Sequence, residues 1–280
     1  MQYGKEFKLI EQISEQSNHA LAVSFSGYLF SMGTVLAGLF HGERQGLGLE
    51  IDTGDANTST NSSVAERFGV DVFWAIFGLL MLLLVQLLND FVFFHQYNNI
   101  TELRENKNLA LAVVEAGIYI GSSFVVAACT HAENVSLAVS FFLCGMAAMV
   151  AFSFGYERVT SYDDQAAIKG NNAAAGVDWA CNMAAFGLLV SQAVERSNSI
   201  LVFVIWSAAG SACTLLYRKV IDVTVLREID LDAELELDAE EAAAGVLPNW
   251  GVALLNGVVT ISLVQTINTF LRDCEYEFVG

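Results

Sequence analysis

The chain has 280 residues, of which 54% are hydrophobic and only 16% charged, with a mean hydropathy of +0.48. Soluble proteins carry about 25% charged residues, so this composition excludes an ordinary soluble domain. The formal net charge of −18 argues against nucleic acid or anionic lipid as a ligand, since both call for Lys and Arg.

In chain order, residues 1–17 read as a short amphipathic helix, with Phe7, Ile10 and Ile13 at helical spacing. The apolar residues then fall into seven blocks, 18–41, 70–95, 108–131, 136–157, 172–194, 198–218 and 242–271. Each is about the twenty residues needed to cross a hydrocarbon core of ~30 Å. The expected fold is therefore all-α, a single polytopic membrane domain of seven transmembrane helices over 1–280. Residues 42–69, rich in Gly, Ser, Thr, Asn and Asp, read as a surface loop. The second block is almost wholly Leu, Phe and Val and is expected on the lipid-facing outside.

Polar lead-ins precede the third, fifth and seventh spans at 96–107, 158–171 and 218–240. The last is strongly acidic, with seven carboxylates between Asp230 and Glu241 interleaved with Leu231, Leu235 and Leu237. It reads as a helix lying on the membrane, with a cation- or partner-binding acidic face as the alternative. Cys129, Cys144, Cys181, Cys213 and Cys274 stand singly, so neither a disulfide framework nor a zinc or other metal site is signalled. No cleavable leader pattern opens the chain.

Charge sets the expected topology. With seven spans, the N-terminus and the lead-ins share one side, which holds nine Lys or Arg against four (Arg44, Arg67, Arg196 and Arg272) on the other. The positive-inside rule puts the N-terminus in the cytoplasm and the C-terminus outside, in a plasma or inner membrane rather than an organelle.

The chain repeats. Asn18, Asn108, Asn172 and Glu241 each open a small-residue span, so the unit is lead-in, small-residue span, tight turn and bulkier span. The units are 1–95, 96–157 and 158–221, with a half unit at 222–280. Each complete unit crosses twice, so the repeats are parallel. The lead-in, the Asn-x-Ala-x-Ala or Asn-Ala-Ala-Ala opening and the Ala-Gly step carry a resemblance. They stand at Asn108, Ala110, Ala112, Ala116 and Gly117, and at Gly170, Asn171, Asn172 and Ala173 to Ala175. Asn18, Ala20, Ala22 and Gly27 match more weakly, and the last unit has Ala242 to Gly245 after Glu rather than Asn. On these residues the chain resembles the domain of unknown function 350 family of bacterial inner-membrane proteins, usually of two units and four spans. The resemblance implies an integral membrane protein with no assigned activity, and it carries over no catalytic residues. The half unit leaves an open side that a second copy or a partner helix would close.

Polar groups recur at one depth in the odd-numbered spans. Six to eight residues past each anchor stand Ser24 and Ser26, Glu115, Asp178, and Asn249 beside Pro248, about 10 Å into the membrane at 1.5 Å per residue. Tyr28, Ser31, Tyr119, Ser122, Asn182 and Asn256 lie one to two turns deeper, and Gln192 and Gln265 further on. An acidic side chain at a helix centre costs about 2.5–3.5 kcal/mol to insert, so such residues face the bundle interior or water. No Lys or Arg stands in the middle of a block, so a site here would favour cations or protons. The expected function is a small-cation or proton pathway lined by the odd-numbered helices as an inner ring, with Glu115 and Asp178 as its charged groups. Interhelical polar glue is the alternative for the Ser and Asn residues.

Gly117 and Gly121, in a small-x-x-x-small pattern, are expected to pack helices closely. Pro248, the single proline, is expected to kink the last span as a hinge or stop. The second functional expectation is a non-catalytic scaffold whose acidic lead-ins recruit a partner, in an envelope-stress setting. A third and weaker one is a haem-binding redox protein using His19, His41, His95 and His131, although histidines near span ends need bind nothing. A retinal protein is excluded because no Lys in the last span could form the Schiff base. No enzymatic activity and no cofactor are expected.

Overall fold

The computed structural model of the chain describes residues 9–39, 64–93, 98–196, 199–224, 231–236 and 249–278, without the side chains of 64–67, 222–224 and 271–278. Among the described residues every regular element is helical. Seven helices are long and apolar enough to cross a membrane, as expected: His19–Gly38, Phe68–Phe93, Leu109–Cys129, Val135–Val159, Ala173–Arg196, Ile200–Ile221 and Trp250–Phe270. The seventh crossing starts at Trp250 rather than at 242. Glu241 and the proposed hinge at Pro248 lie outside the described residues, as do His41, His95 and the 42–63 loop.

We number the helices α1 (Leu9–Ser14), α2 (His19–Gly38), α3 (Val64–Leu88), α4 (Asn99–Arg104), α5 (Leu109–Cys129), α6 (Val135–Val159), α7 (Asp164–Lys169), α8 (Ala173–Arg196), α9 (Ile200–Thr224), α10 (Leu231–Leu235) and α11 (Trp250–Phe278). A π-helical turn, Asn89–Phe93, ends α3.

The anchor asparagines act as two-way clamps. Oδ1 of Asn18, Asn108 and Asn172 accepts a hydrogen bond from the backbone N–H of Leu21, Leu111 and Ala175, at 3.1, 2.9 and 3.1 Å. This satisfies one of the orphan donors that every helix N-terminus carries. The amide Nδ2 of the same residue donates to the last carbonyls of the following unit's lead-in helix. Asn18 reaches Leu103 at 2.9 Å, Asn108 reaches Ile168 at 2.9 Å, and Asn172 reaches Leu235 at 2.6 Å. The short lead-ins α4, α7 and α10 are thereby fastened to the small-residue span of the preceding unit, α2, α5 and α8 respectively, and all four odd-numbered spans start on the lead-in side of the membrane. Ser17, Lys107 and Asn171, each directly before an anchor, take positive φ values of 50°, 50° and 62°. The chain needs this left-handed residue to turn from lead-in into span.

The fourth anchor differs from the sequence expectation. Asn249, not Glu241, caps the last span, its Oδ1 accepting from Val252 N at 3.2 Å. It stands exposed at the membrane surface rather than in the hydrocarbon.

Packing follows from the anchors. α2, α5, α8 and α11 lie side by side in that order, each against the next. α3 covers the α2–α5 junction, α6 the α5–α8 junction and α9 the α8–α11 junction. The first, third, fifth and seventh spans therefore make a row and not the expected inner ring with one open side. The second, fourth and sixth spans, α3, α6 and α9, lie over it as expected, with Leu80, Leu83, Leu84 and Leu87 of α3 facing outward. Small residues set the spacing of the row. A Cβ on Gly117 would stand 2.5 Å from Ala180 Cα, and one on Gly187 would overlap the backbone of Gly121. Gly117 thus lies against Ala180, and Gly121 against Met183 and Gly187. Above this junction Phe152 of α6 stacks on Phe186 of α8, 4.1 Å between centroids and 7° between planes.

Candidate functional site

Two polar centres are buried in the row, at different junctions. The first lies between α2 and α5. Ser24 Oγ donates to Glu115 Oε2 at 2.5 Å, and both residues are buried, Glu115 to 3% exposure. Among the described residues no Lys, Arg or His forms an ion pair with Glu115. Tyr119, one turn on, meets Tyr28 of α2 edge-to-face with centroids 5.6 Å apart. The π-turn at the end of α3 brings a third helix to this centre. Asn89 is fully buried with its amide beside the Tyr119 hydroxyl, while Asp90 is exposed and accepts from Asn99 Nδ2 at 3.0 Å. A π-turn inserts one residue per turn into the helix and re-aims its side chains, which is why such turns gather at functional sites. Here it points one polar side chain inward and its neighbour to the lead-in surface. Beyond Glu115, Ser31 and Ser122 are buried in the same junction. Further out it closes on apolar contacts, with Gly38 against Ala127 and Gly78 against Val35. The centre is thus a buried polar cluster at the α2–α5 junction, with exposed Asp90 on its lead-in side.

The second centre lies where α6, α8, α9, α10 and α11 meet. Asp178 of α8 is fully buried. Its Oδ2 accepts from Arg218 Nη1 at 2.6 Å and from the Tyr156 hydroxyl, and its Oδ1 from Asn256 Nδ2 at 2.5 Å. Arg218 Nη2 donates to Asp232 Oδ1 at 2.7 Å, and the guanidinium lies 4.8 Å from the centre of the Tyr156 ring. Asp232 Oδ2 accepts from Ser161 N and Oγ at 3.0 and 2.9 Å, with Lys219 Nζ 3.9 Å away. Two carboxylates thus face two cations, and the group is charge-balanced. It fastens the acidic lead-in onto the bundle through α10.

This corrects two sequence expectations. Asp178 is not a free cation ligand, because Arg218 already neutralises it. Arg218 is not a surface charge of the lead-in either: α9 runs on to Thr224 and carries the guanidinium 4% exposed among buried partners. Nor do Glu115 and Asp178 line one path. Glu115 faces α2 and Asp178 faces α11, with the Gly–Ala packing of α5 on α8 between them.

The other candidates fall into place around these centres. Asn256 belongs to the second. Asn182 turns its Nδ2 back to the Asp178 carbonyl at 2.8 Å and supports the helix, not a ligand. Ser26 is exposed on the far side of α2 and leaves the buried cluster to Ser24. His19 and His131 stand at opposite membrane faces, at the start of α2 and just past the end of α5, so these two form no haem-ligating pair. Asn89, Tyr156 and Arg218 were not singled out from sequence. A counter-charge for Asp178 and an Asn-Asp pair inside a run of Leu and Phe were the available signals.

Outside the spans, titration can be followed. Burial pushes the Asp164 carboxyl up to about 6, against the hydrogen bond from Thr160 Oγ1 (2.5 Å) and the charge of Arg218. Burial also acts upward on Asp232, but the hydrogen bonds and charge of Arg218, with the Ser161 bonds, hold it below the usual carboxylate range. The signs oppose. Asp232 contributes stability that is lost as pH falls through its folded value, whereas the Asp164 contribution is lost as pH rises through about 6. Asp164→Asn should therefore raise stability near pH ~8 by up to about 3 kcal/mol and leave it little changed near pH ~4. Melting curves of the purified protein at the two pH values check this.

Comparison with known proteins agrees with this architecture. The family described as Domain of Unknown Function (DUF350) matches residues 3–130 and 131–264. The chain belongs to this family. The two DUF350 matches meet in the turn between α5 and α6, so the chain holds two copies in tandem. It is also similar to a "UPF0719 transmembrane protein" of Aquifex aeolicus (strain VF5), 23% identical over 198 residues, which is 70% of this chain and 68% of that protein. No solved structure matches. A multi-pass integral membrane protein in contact with lipid is thus established from helices and family alike.

Proposed function

We propose that the chain provides a proton or small-cation pathway in which Glu115 is the exchanging group. The observation that carries this reading is a buried intramembrane carboxylate with Ser24 as its hydrogen-bond donor and no cationic partner among the described residues. Intramembrane carboxylates without a structural counter-charge are functional by default. Asp178 supplies the contrast within the same chain, since its charge is spent on Arg218. In this reading a recess from exposed Asp90 past Asn89 and Tyr119 would give Glu115 its access to water. The positive-inside reading opens this recess to the cytoplasm. No catalytic chemistry is assigned to the chain.

Purified protein in liposomes loaded with a pH-sensitive dye tests this. An imposed gradient should collapse faster than in empty liposomes, with Glu115→Gln abolishing the effect and Ser24→Ala weakening it. Flux through Glu115→Gln equal to that of the parent chain contradicts the reading.

A scaffold role for the acidic lead-in is the second reading, favoured by one observation: Asp232 anchors α10 to the bundle through Arg218, which leaves Glu236 exposed beside it. We also read the open edge of the row at α11 as a seat for a second copy or a partner helix.

A further inference from the structure

The three junctions of the row share one register. The ninth residue after an anchor packs on the eighth after the next: Gly27 on Ala116, Gly117 on Ala180, and Cys181 on Gly257. The sixth faces the seventh in the same way, as Ser24 faces Glu115 and Asp178 faces Asn256. Further out, Gly38 meets Ala127, and Gly121 meets Gly187. Each helix of the row therefore has a forward face, which receives the next helix of the row, and a backward face, which rests on the one before.

At the two ends of the row these faces are exposed among the described residues. The forward face of α11 is Leu255, Val258, Ser262, Thr266 and Thr269, all exposed. Ser262, Thr266 and Thr269 turn their hydroxyls back to their own helix carbonyls. Gln265 beside them carries an exposed amide with no hydrogen-bond partner among the described residues. A polar stripe of this kind is out of place against lipid and in place against another helix. The backward face of α2 is Phe25, Ser26, Leu29, Gly33 and Ala37, also exposed, and a Cβ on Gly33 would meet nothing within 4 Å. Beside it a groove of about 710 Å³ runs between α1 and α2, lined by Leu9, Ile10, Glu11, Ser14, Glu15 and Phe25. Within the chain, the corresponding space beside α4 and α5 is taken up by α2 and its anchor.

We propose that α11 of one copy docks on α1 and α2 of a second copy, continuing the row across molecules in the register that joins it within one. In that register Leu255 faces Phe25, Val258 faces Ser26, Ser262 lies over Gly33 as Gly121 lies over Gly187, and Thr269 meets Ala37. Small residues fall where backbones approach, and an apolar pair occupies the level of Ser24 and Glu115. Asn249 Nδ2, which within one copy donates to Glu234 Oε2 at 2.8 Å, has in the lead-in α1 of the second copy the kind of carbonyl partner that Asn18, Asn108 and Asn172 find in α4, α7 and α10. The contact is heterologous, so it makes rings or filaments and not a two-fold dimer. It rests on the open-edge reading and is independent of Glu115.

Cysteine cross-linking in membranes tests it, in a chain whose five native cysteines are replaced by Ala. Ser26→Cys with Val258→Cys should give a ladder of dimers and higher multimers on mild oxidation, whereas either substitution alone should give none. Cross-linking of Val258→Cys alone, which reports a two-fold α11–α11 contact, overturns the proposal, as does a double variant that stays monomeric. The unmodified chain provides the control for folding: its mass in detergent should be a multiple of the monomer, and Gly33→Trp should reduce it to one chain. A monomeric parent overturns the proposal as well. None of these readouts depends on proton flux.

Discussion

Arg218→Gln is expected to cost about 3–5 kcal/mol of stability, the range found when one partner of a buried ion pair is removed. The size follows from what is left behind. Asp178 is fully buried and Asp232 nearly so, and both direct a carboxylate oxygen at the guanidinium, at 2.6 and 2.7 Å. Without Arg218, Asn256 and Tyr156 still donate to Asp178, but no cation remains beside it. Asp178→Asn in the same chain should recover a large part of the loss, because it removes the stranded charge. Arg218→Lys should recover less, since a single ammonium cannot fork between two carboxylates. Thermal melting of the four proteins in detergent checks the order. A destabilisation by Arg218→Gln below about 1 kcal/mol, the scale of an exposed pair, would show that the group is solvated and not a lock.

Gly187→Val is expected to prevent assembly of the bundle rather than to soften it. A Cβ at this position overlaps the Gly121 backbone, so there is no flexible side chain that could move aside. Relief requires α5 and α8 to separate, and these are the two central helices of the row, on which α2, α6, α9 and α11 all rest. Interhelical contacts in membranes depend on such close approach because no hydrophobic drive holds the helices together. Loss of monodisperse protein on size exclusion is the expected readout. Gly33→Val is the control, since Gly33 has open space around it and the monomer should fold.

Much of this was legible in the sequence, for physical reasons that can be named. The spans were visible because twenty apolar residues are hard to hide. The anchors at Asn18, Asn108 and Asn172 recur because each solves the same two hydrogen-bonding problems. Glu115 was conspicuous as the one carboxylate in an apolar run. What was hidden depended on partners distant in the chain. Arg218 read as a surface charge because hydropathy ends a span at its first cation, yet its helix continues and the side chain turns inward to Asp178, forty residues back. Asn89 was masked by the Leu and Phe around it, since no periodicity announces a π-turn. The fourth anchor was misplaced onto Glu241 because the Ala-Ala-Ala-Gly after it imitates the motif, while the cap itself is Asn249.

The central claim is that Glu115 exchanges protons inside the membrane while Asp178 does not. Infrared difference spectroscopy of the protein in lipid, titrated with pH, tests it directly. A protonated-carboxyl band should rise and fall with pH, shift in deuterium oxide, vanish in Glu115→Gln and persist in Asp178→Asn. A band that survives Glu115→Gln and disappears in Asp178→Asn, or no titrating intramembrane carboxyl at all, would contradict it.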